Sequence, residues 1–170
     1  REDRDEALQL VEDIAYKLEG LVHLRDDRRL VALFGLPMTD ENDIVSAVRF
    51  ARDAQEALGH LAAAIADGFE DAEREPLGLH VGIRVGTARM RTAPSREGYQ
   101  VVGNTIDETL ALAEHATEGQ VHIAGAAARL ASMHYLLRQV EAVRRYGKPI
   151  RCYRVIGPQP AEQRRHDSGE

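Results

Sequence analysis

From Thr39 to Ile65 the apolar residues Ile44, Ala47, Val48, Ala51, Ala54, Leu58, Leu61 and Ile65 recur at three- and four-residue intervals, which puts them on one stripe of an α-helix. A helix with such a stripe must bury it against another apolar surface. Thr39 or Asp40 can cap its start. An earlier helix is predicted over residues 5–19, where Ala7, Leu8, Leu10, Val11, Ile14, Ala15 and Leu18 share a face and Gly20 supplies the stop. Between the two helices, Leu21–Leu24 and Leu30–Phe34 flank the charged turn RDDRR and read as a hairpin.

The second half changes period. In residues 79–88, Leu79, Val81, Ile83 and Val85 alternate with His80, Gly82 and Arg84, the two-residue repeat of a strand with one buried face. Residues 89–98 read as a loop, 99–102 as a short strand, 104–116 as a helix, 121–124 as a strand and 125–133 as a small helix. Two closing strands are expected at Tyr135–Val143 and Ile150–Val155, joined by a turn at Gly147-Lys148-Pro149. This mixture predicts an α+β domain over residues 1–157, with helices on a mainly antiparallel twisted sheet. Residues 158–170 are too polar to fold and form a predicted disordered tail.

Composition narrows the function classes. The chain has 170 residues, 44% of them hydrophobic, and a net charge of −6. No apolar run is long enough to cross a bilayer, and the acidic balance gives no reason to expect nucleic acid or an anionic membrane as partner. The single cysteine, Cys152, excludes an internal disulfide, and no signal segment opens the chain, so a cytoplasmic location is expected. The seven histidines are scattered without zinc-type spacing, so neither a metal nor another cofactor is expected. The charged start REDRDE, without an initiator methionine, reads as an interior segment of a longer polypeptide.

LVALFGLP at 30–37, LHVGIRVGTA at 79–88, YQVVGNTIDETLALA at 99–113, EGQVHIAG at 118–125 and YGKPIRCYRV at 146–155, in this order, together resemble the catalytic domains of class III adenylate and guanylate cyclases. LVALFGLP at 30–37 is similar to the family's FG-containing strand end, and LHVGIRVGTA at 79–88 to its GIHxG strand. YQVVGNTIDETLALA at 99–113 has the frame of the segment that carries the family's catalytic Asn and Arg, EGQVHIAG at 118–125 is similar to its GQIxxS, and YGKPIRCYRV at 146–155 to its closing strands. The resemblance implies a ferredoxin-like nucleotide-cyclase fold whose opening strand is missing before the first helix. It also implies a homodimer or a protein partner, with Leu36–Met38 and Tyr99–Gly103 near the family's dimer interface.

Position by position, the resemblance also implies that the catalytic groups are gone. The carboxylate carried on the family's opening strand has no counterpart. The second metal aspartate lies seven residues before the glycine of the FG pair, which here is Arg28. Asp27, one residue away, is the alternative metal candidate, but a one-residue slip reverses the face of a strand and needs a compensating bulge. Leu24 and Gln100 stand at the base-selecting positions, and His23 next to Leu24 reads as structural. Asp107 stands for the ribose-orienting Asn and Ala111 for the Arg that stabilises the transferring phosphoryl, so no catalytic residue is assigned. Loss of one such charge-stabilising group costs on the order of a hundredfold in rate.

The leading reading is therefore a catalytically inactive cyclase-homology domain acting as a dimerisation, protein-interaction or regulatory module in a signalling protein. A second reading is a sensor in which Arg25, Arg28, Arg29 and Arg84, with Arg89, Arg91 and Arg96, surround the old triphosphate cleft and hold a nucleotide or another phosphorylated ligand. A third is a divergent active cyclase using Asp26 or Asp27 with Asp107 and Glu108. Against it, neighbouring helical residues point about a hundred degrees apart, and both acids suit a helix N-terminus.

Overall fold

The computed structural model describes residues 2–68, 77–91, 98–117 and 119–160. The chain gathers into two compact units, Arg1–Leu79 and His80–Glu170.

The first unit opens with α1 (Glu2–Lys17), acidic in its first turn and closed by Lys17, as the helix macrodipole favours. No strand precedes it among the described residues. Its stop differs from the expected one. Glu19, not Gly20, takes the left-handed conformation (φ 62°). The Glu19 N–H donates to Tyr16 O at 3.1 Å and the Gly20 N–H to Ala15 O at 2.8 Å, the paired closure of a Schellman motif. Gly20 is required for another reason, since a Cβ there would lie 2.8 Å from the Phe34 ring.

The hairpin follows as β1 (Leu21–Arg25) and β2 (Leu30–Leu33). Pairing steps from Val22↔Ala32 to Leu24↔Val31, so His23 is the extra residue of a β-bulge. Helix α2 (Asp43–Asp67) has Asn42 as its N-cap, two or three residues later than Asp40 and Thr39 suggest. Asp40 is spent on a turn: its Oδ1 accepts from the Asn42 N–H, and its own N–H donates to Asp43 Oδ2, both at 2.7 Å. The same Asp43 carboxylate would meet a Cβ on Gly35 at 2.5 Å, and Gly35 has φ 95°, so the glycine of the FG pair is demanded twice over. Ile44, Val48, Ala51, Ala54 and Leu58 of the stripe are buried. Ala7, Val11, Ala54 and Leu58 form the unit's core cluster, with Leu30, Phe50, Leu77 and Leu79 packed around it. Burying Leu58 alone stabilises by roughly 1.5–3 kcal/mol.

The second unit holds β3 (Val81–Ile83), β4 (Ala88–Arg91), β5 (Gly98–Val101), α3 (Thr105–His115), β6 (Val121–Ala124), α4 (Ala126–Ala131), β7 (Tyr135–Arg145) and β8 (Lys148–Pro158). Four strands form a sheet in the order β3-β6-β8-β7, with β3 parallel to β6 and the other pairs antiparallel. The single strand expected at 79–88 is thus shorter, and residues 88–91, partly assigned to a loop, pair with β5 as a separate ribbon. Residues 92–97, including Arg96, lie outside the described residues.

Helix α3 packs so closely on the sheet that only glycine fits at 82. A Cβ there would lie 2.5 Å from Thr109 O and 2.7 Å from Ala113 N. Ala111, Leu112, Ala124, Val143 and Cys152 form the core beneath the helix, and burial pushes the Cys152 thiol pKa up. The last hairpin is tighter than expected. Arg145 pairs with Lys148, leaving Tyr146 and Gly147 as a two-residue turn with both φ values positive, the primed geometry that suits strand twist. Lys148 and Pro149 belong to β8. Pro158, assigned to the tail by composition, is the end of β8, and the Gln159 N–H donates to His134 O at 2.9 Å. Residues 161–170 of the tail lie outside the described residues.

Candidate functional site

In the first unit the candidate residues sit on the β1–β2 hairpin. Asp26 organises its turn. Its Oδ1 accepts from the N–H groups of Arg28 at 2.9 Å and Arg29 at 2.7 Å, while Oδ2 accepts from Arg29 Nε at 2.8 Å. The Arg28 N–H, and then the Arg29 guanidinium, hold the Asp26 carboxyl below its usual range. Asp27 and Arg28 are exposed at the tip, and Leu24 is half-buried opposite Val31. The bulge that a displaced Asp27 would need does exist, at His23, but it lies in β1 before Leu24, not in the turn. Arg25 is committed to α1, where it pairs with Glu12 and donates to Gln9 Oε1 at 3.1 Å. Arg29 is paired with Asp26 at 2.7 Å.

In the second unit the candidates gather around α3. Gly103, with φ 72°, makes the turn into the helix. Asn104 stands at the N-cap without a side-chain capping bond. The first turn of α3 carries Asp107 and Glu108, and each has its own partner. Asp107 accepts from the Tyr146 hydroxyl at 2.9 Å and from Arg145 Nε and Nη2 at 3.2 and 3.3 Å. The Tyr146 bond foremost, with Arg145, holds the Asp107 carboxyl below its usual range and pushes the phenol up. Glu108 pairs with Arg84 at 2.5 Å, both side chains being largely covered. The two acids therefore serve separate cations and do not converge on one reacting atom.

Ala111, one turn further along α3, is buried in the core cluster with Leu112, Ala124, Val143 and Cys152. A methyl group there packs; it has no atom to offer a phosphate. Gln100 is exposed on β5, and its Oε1 accepts from Arg91 Nε at 3.3 Å. Among the described residues no group of three or more His, Cys, Asp or Glu side chains is arranged to hold a metal ion. No helix there is long and apolar enough to cross a membrane.

Of the arginines of the ligand-sensor reading, Arg25, Arg29 and Arg84 thus carry their own carboxylates. The sequence alone does not show this, because Glu12 and Arg25 lie 13 residues apart on different elements. Tyr146 and Arg145 escape sequence reasoning as partners of Asp107 for the same reason, at separations of 39 and 38 residues. His122 escapes it too. It is buried, its Nε2 lies 2.9 Å from Gln120 Oε1, and its Nδ1 has no partner among the described residues.

No protein-family model matches the chain, and no curated protein matches it in sequence. Solved structures do match. The adenylyl cyclase CyaB from P. aeruginosa is similar over 93% of this chain and 82% of its own, with a TM-score of 0.78 and 21% identity. The guanylyl cyclase Cya2 is similar over 94% of this chain and 81% of its own, at a TM-score of 0.76 and 20% identity. A non-canonical dimeric guanylyl cyclase domain, from the RhoGC fusion protein of the aquatic fungus Blastocladiella emersonii, covers 91% of this chain and 82% of its own at 14% identity and a TM-score of 0.65. With its helices, hairpin and mixed sheet, this chain has the fold of the class III adenylyl and guanylyl cyclase catalytic domains.

Proposed function

We propose that the chain is a catalytically silent cyclase-fold domain that works as a dimerisation, protein-interaction or regulatory module in cytoplasmic signalling. The burial of Ala111 carries this reading: the position that the resemblance gives to the phosphoryl-stabilising arginine is a methyl group in the core of the second unit. Asp107, at the ribose-orienting position, is spent on Tyr146 and Arg145. Arg28, at the metal-aspartate position, adds positive charge to the hairpin turn, the wrong sign for a cation. A protein partner or a second copy of the chain is the occupant this reading requires, and one of the solved domains of this fold is itself described as dimeric.

Calorimetric titration with ATP and GTP, each with magnesium or manganese, tests the reading against the ligand-sensor alternative. The silent module gives no saturable heat through the millimolar range. Saturable binding that is weakened by Arg28→Ala would replace it with the sensor.

A further inference from the structure

The second unit carries a row of basic side chains unrelated to the positions above. In the register of the four-stranded sheet, His122 on β6 stands opposite Arg154 on β8, and Arg154 stands opposite Arg138 on β7. Directly paired residues project from the same face of a sheet, so the three side chains form one line across three strands. On that face the next line is Ala124, Cys152 and Val140, part of the core or packed against it. His115, in the last turn of α3, comes within 6.3 Å of His122, ring centre to ring centre.

Like charges directly opposite each other destabilise a sheet. Neither Arg138 nor Arg154 meets a carboxylate among the described residues. His122 is only 3% exposed, and its Nδ1 has no hydrogen-bond partner there. With Nε2 donating to Gln120, Nδ1 is a buried lone pair facing no donor, which costs free energy unless something occupies it. Burial foremost, then the charges of His115 and Arg154, holds the His122 pKa below its usual value. Among the described residues no carboxylate is paired with His122. Gly82 of β3 faces His122 without a side chain, α4 buries only alanines, and the carbonyl of Ala116 beyond α3 is taken by His80 Nδ1 at 2.6 Å.

We propose that Arg154, Arg138 and His122 form a binding site for a phosphate dianion, with the His115 ring beside it. The geometry favours phosphate over carboxylate. Three neighbouring strands span about 10 Å, and two guanidiniums and one imidazolium carried on one face present more donors than two carboxylate oxygens can accept. A phosphate offers three or four oxygens and a charge that matches two arginines. Binding adds a proton at His122 Nδ1, turning the orphan lone pair into a charge-assisted donor. Affinity therefore falls as pH rises through the anion-bound pKa of His122. The site uses none of Arg25, Arg28, Arg29 or Arg84, so it stands independently of the proposed function.

The test follows the His122 imidazole by nitrogen-detected NMR in the full chain, titrated with inorganic phosphate and, at matched ionic strength, with acetate. Phosphate is expected to give a saturable shift of His122 and about tenfold tighter proton binding there. Arg154→Met should abolish both effects. The exposed Arg138→Met should weaken binding severalfold and serves as the deciding variant if Arg154→Met does not fold. O-phosphoserine then separates sources: tighter binding than inorganic phosphate assigns the site to a phosphomonoester, equal binding to the free ion. No saturable response to phosphate, an equal response to acetate, or binding unchanged in a folded arginine variant would overturn the proposal.

Discussion

Replacing Gly82 by alanine adds one methyl group where α3 meets β3, and the structure gives its cost a clear origin. The new Cβ would lie 2.5 Å from Thr109 O, 2.7 Å from Ala113 N and 2.8 Å from Leu112 Cβ. Two of these obstacles are backbone atoms of a helix, so no rotamer change relieves them. To reach ordinary contact at 3.4 Å, α3 must move off the sheet by 0.9 Å along the shortest approach. That movement loosens Leu112, which is fully buried in the core. Overpacking of this kind costs about 1–3 kcal/mol, and the rigid obstacles place it toward the upper end. For a chain of this length, about 2–3 kcal/mol lowers Tm by roughly 4–12 °C. Gly59 is the internal control. It lies in α2, and a Cβ there would meet no atom within 4 Å, so Gly59→Ala should raise stability by about 1 kcal/mol through helix propensity alone. Thermal unfolding followed by far-UV circular dichroism reads both. A Gly82→Ala protein melting within a degree of the parent would refute the packing argument.

Other outcomes follow from single residues. Glu19→Gly removes a side chain from a left-handed position and should stabilise by about 1 kcal/mol, read as a higher urea midpoint at unchanged slope. Asp107 has a depressed folded-state pKa, so its contribution is full above the unfolded carboxylate value near roughly 3.9 and disappears as pH falls through the lower folded value. Asp107→Asn should therefore flatten the acid limb of a stability-versus-pH curve, and an unchanged limb would contradict the pairing with Tyr146 and Arg145. His122 is also depressed, but as a base. Without a bound anion its neutral form favours folding above about pH 6.5, and that contribution is lost as pH falls through the unfolded and then the folded value. His122→Gln should remove this component from urea midpoints measured between pH 7 and 5.

The elements legible in the sequence are those with an uninterrupted period. The α2 stripe needs only spacing, and Ile44, Val48, Ala51, Ala54 and Leu58 of it are buried. The order of the five resembling segments carries the fold, even though identity to the solved structures is about a fifth or less. Differences fall where side chains act on distant or local backbone. The α2 start moves because Asp40 and Asp43 close a turn ahead of it. The α1 stop moves because a Schellman closure uses Glu19 while Gly20 answers to Phe34, a contact across 14 residues. In the last hairpin, Tyr146 accepts a left-handed conformation that sequence rules reserve for Asn or Gly, and its hydroxyl is held by Asp107. Arg28, Asp107 and Ala111, at the positions the resemblance singles out, are read directly from the sequence. The partners that occupy Arg25, Arg84 and Asp107 are not, because ion pairs between elements leave no mark in spacing.

Catalytic silence is tested most directly by turnover. The purified chain, incubated with ATP or GTP and manganese, is assayed for cyclic nucleotide by mass spectrometry over hours at high protein concentration. With a buried Ala111 and an occupied Asp107, product should not exceed the protein-free control. Cyclic AMP or cyclic GMP accumulating in proportion to protein, and lost in Asp27→Asn, would contradict the silent-module account and return Asp27 to the role of metal ligand.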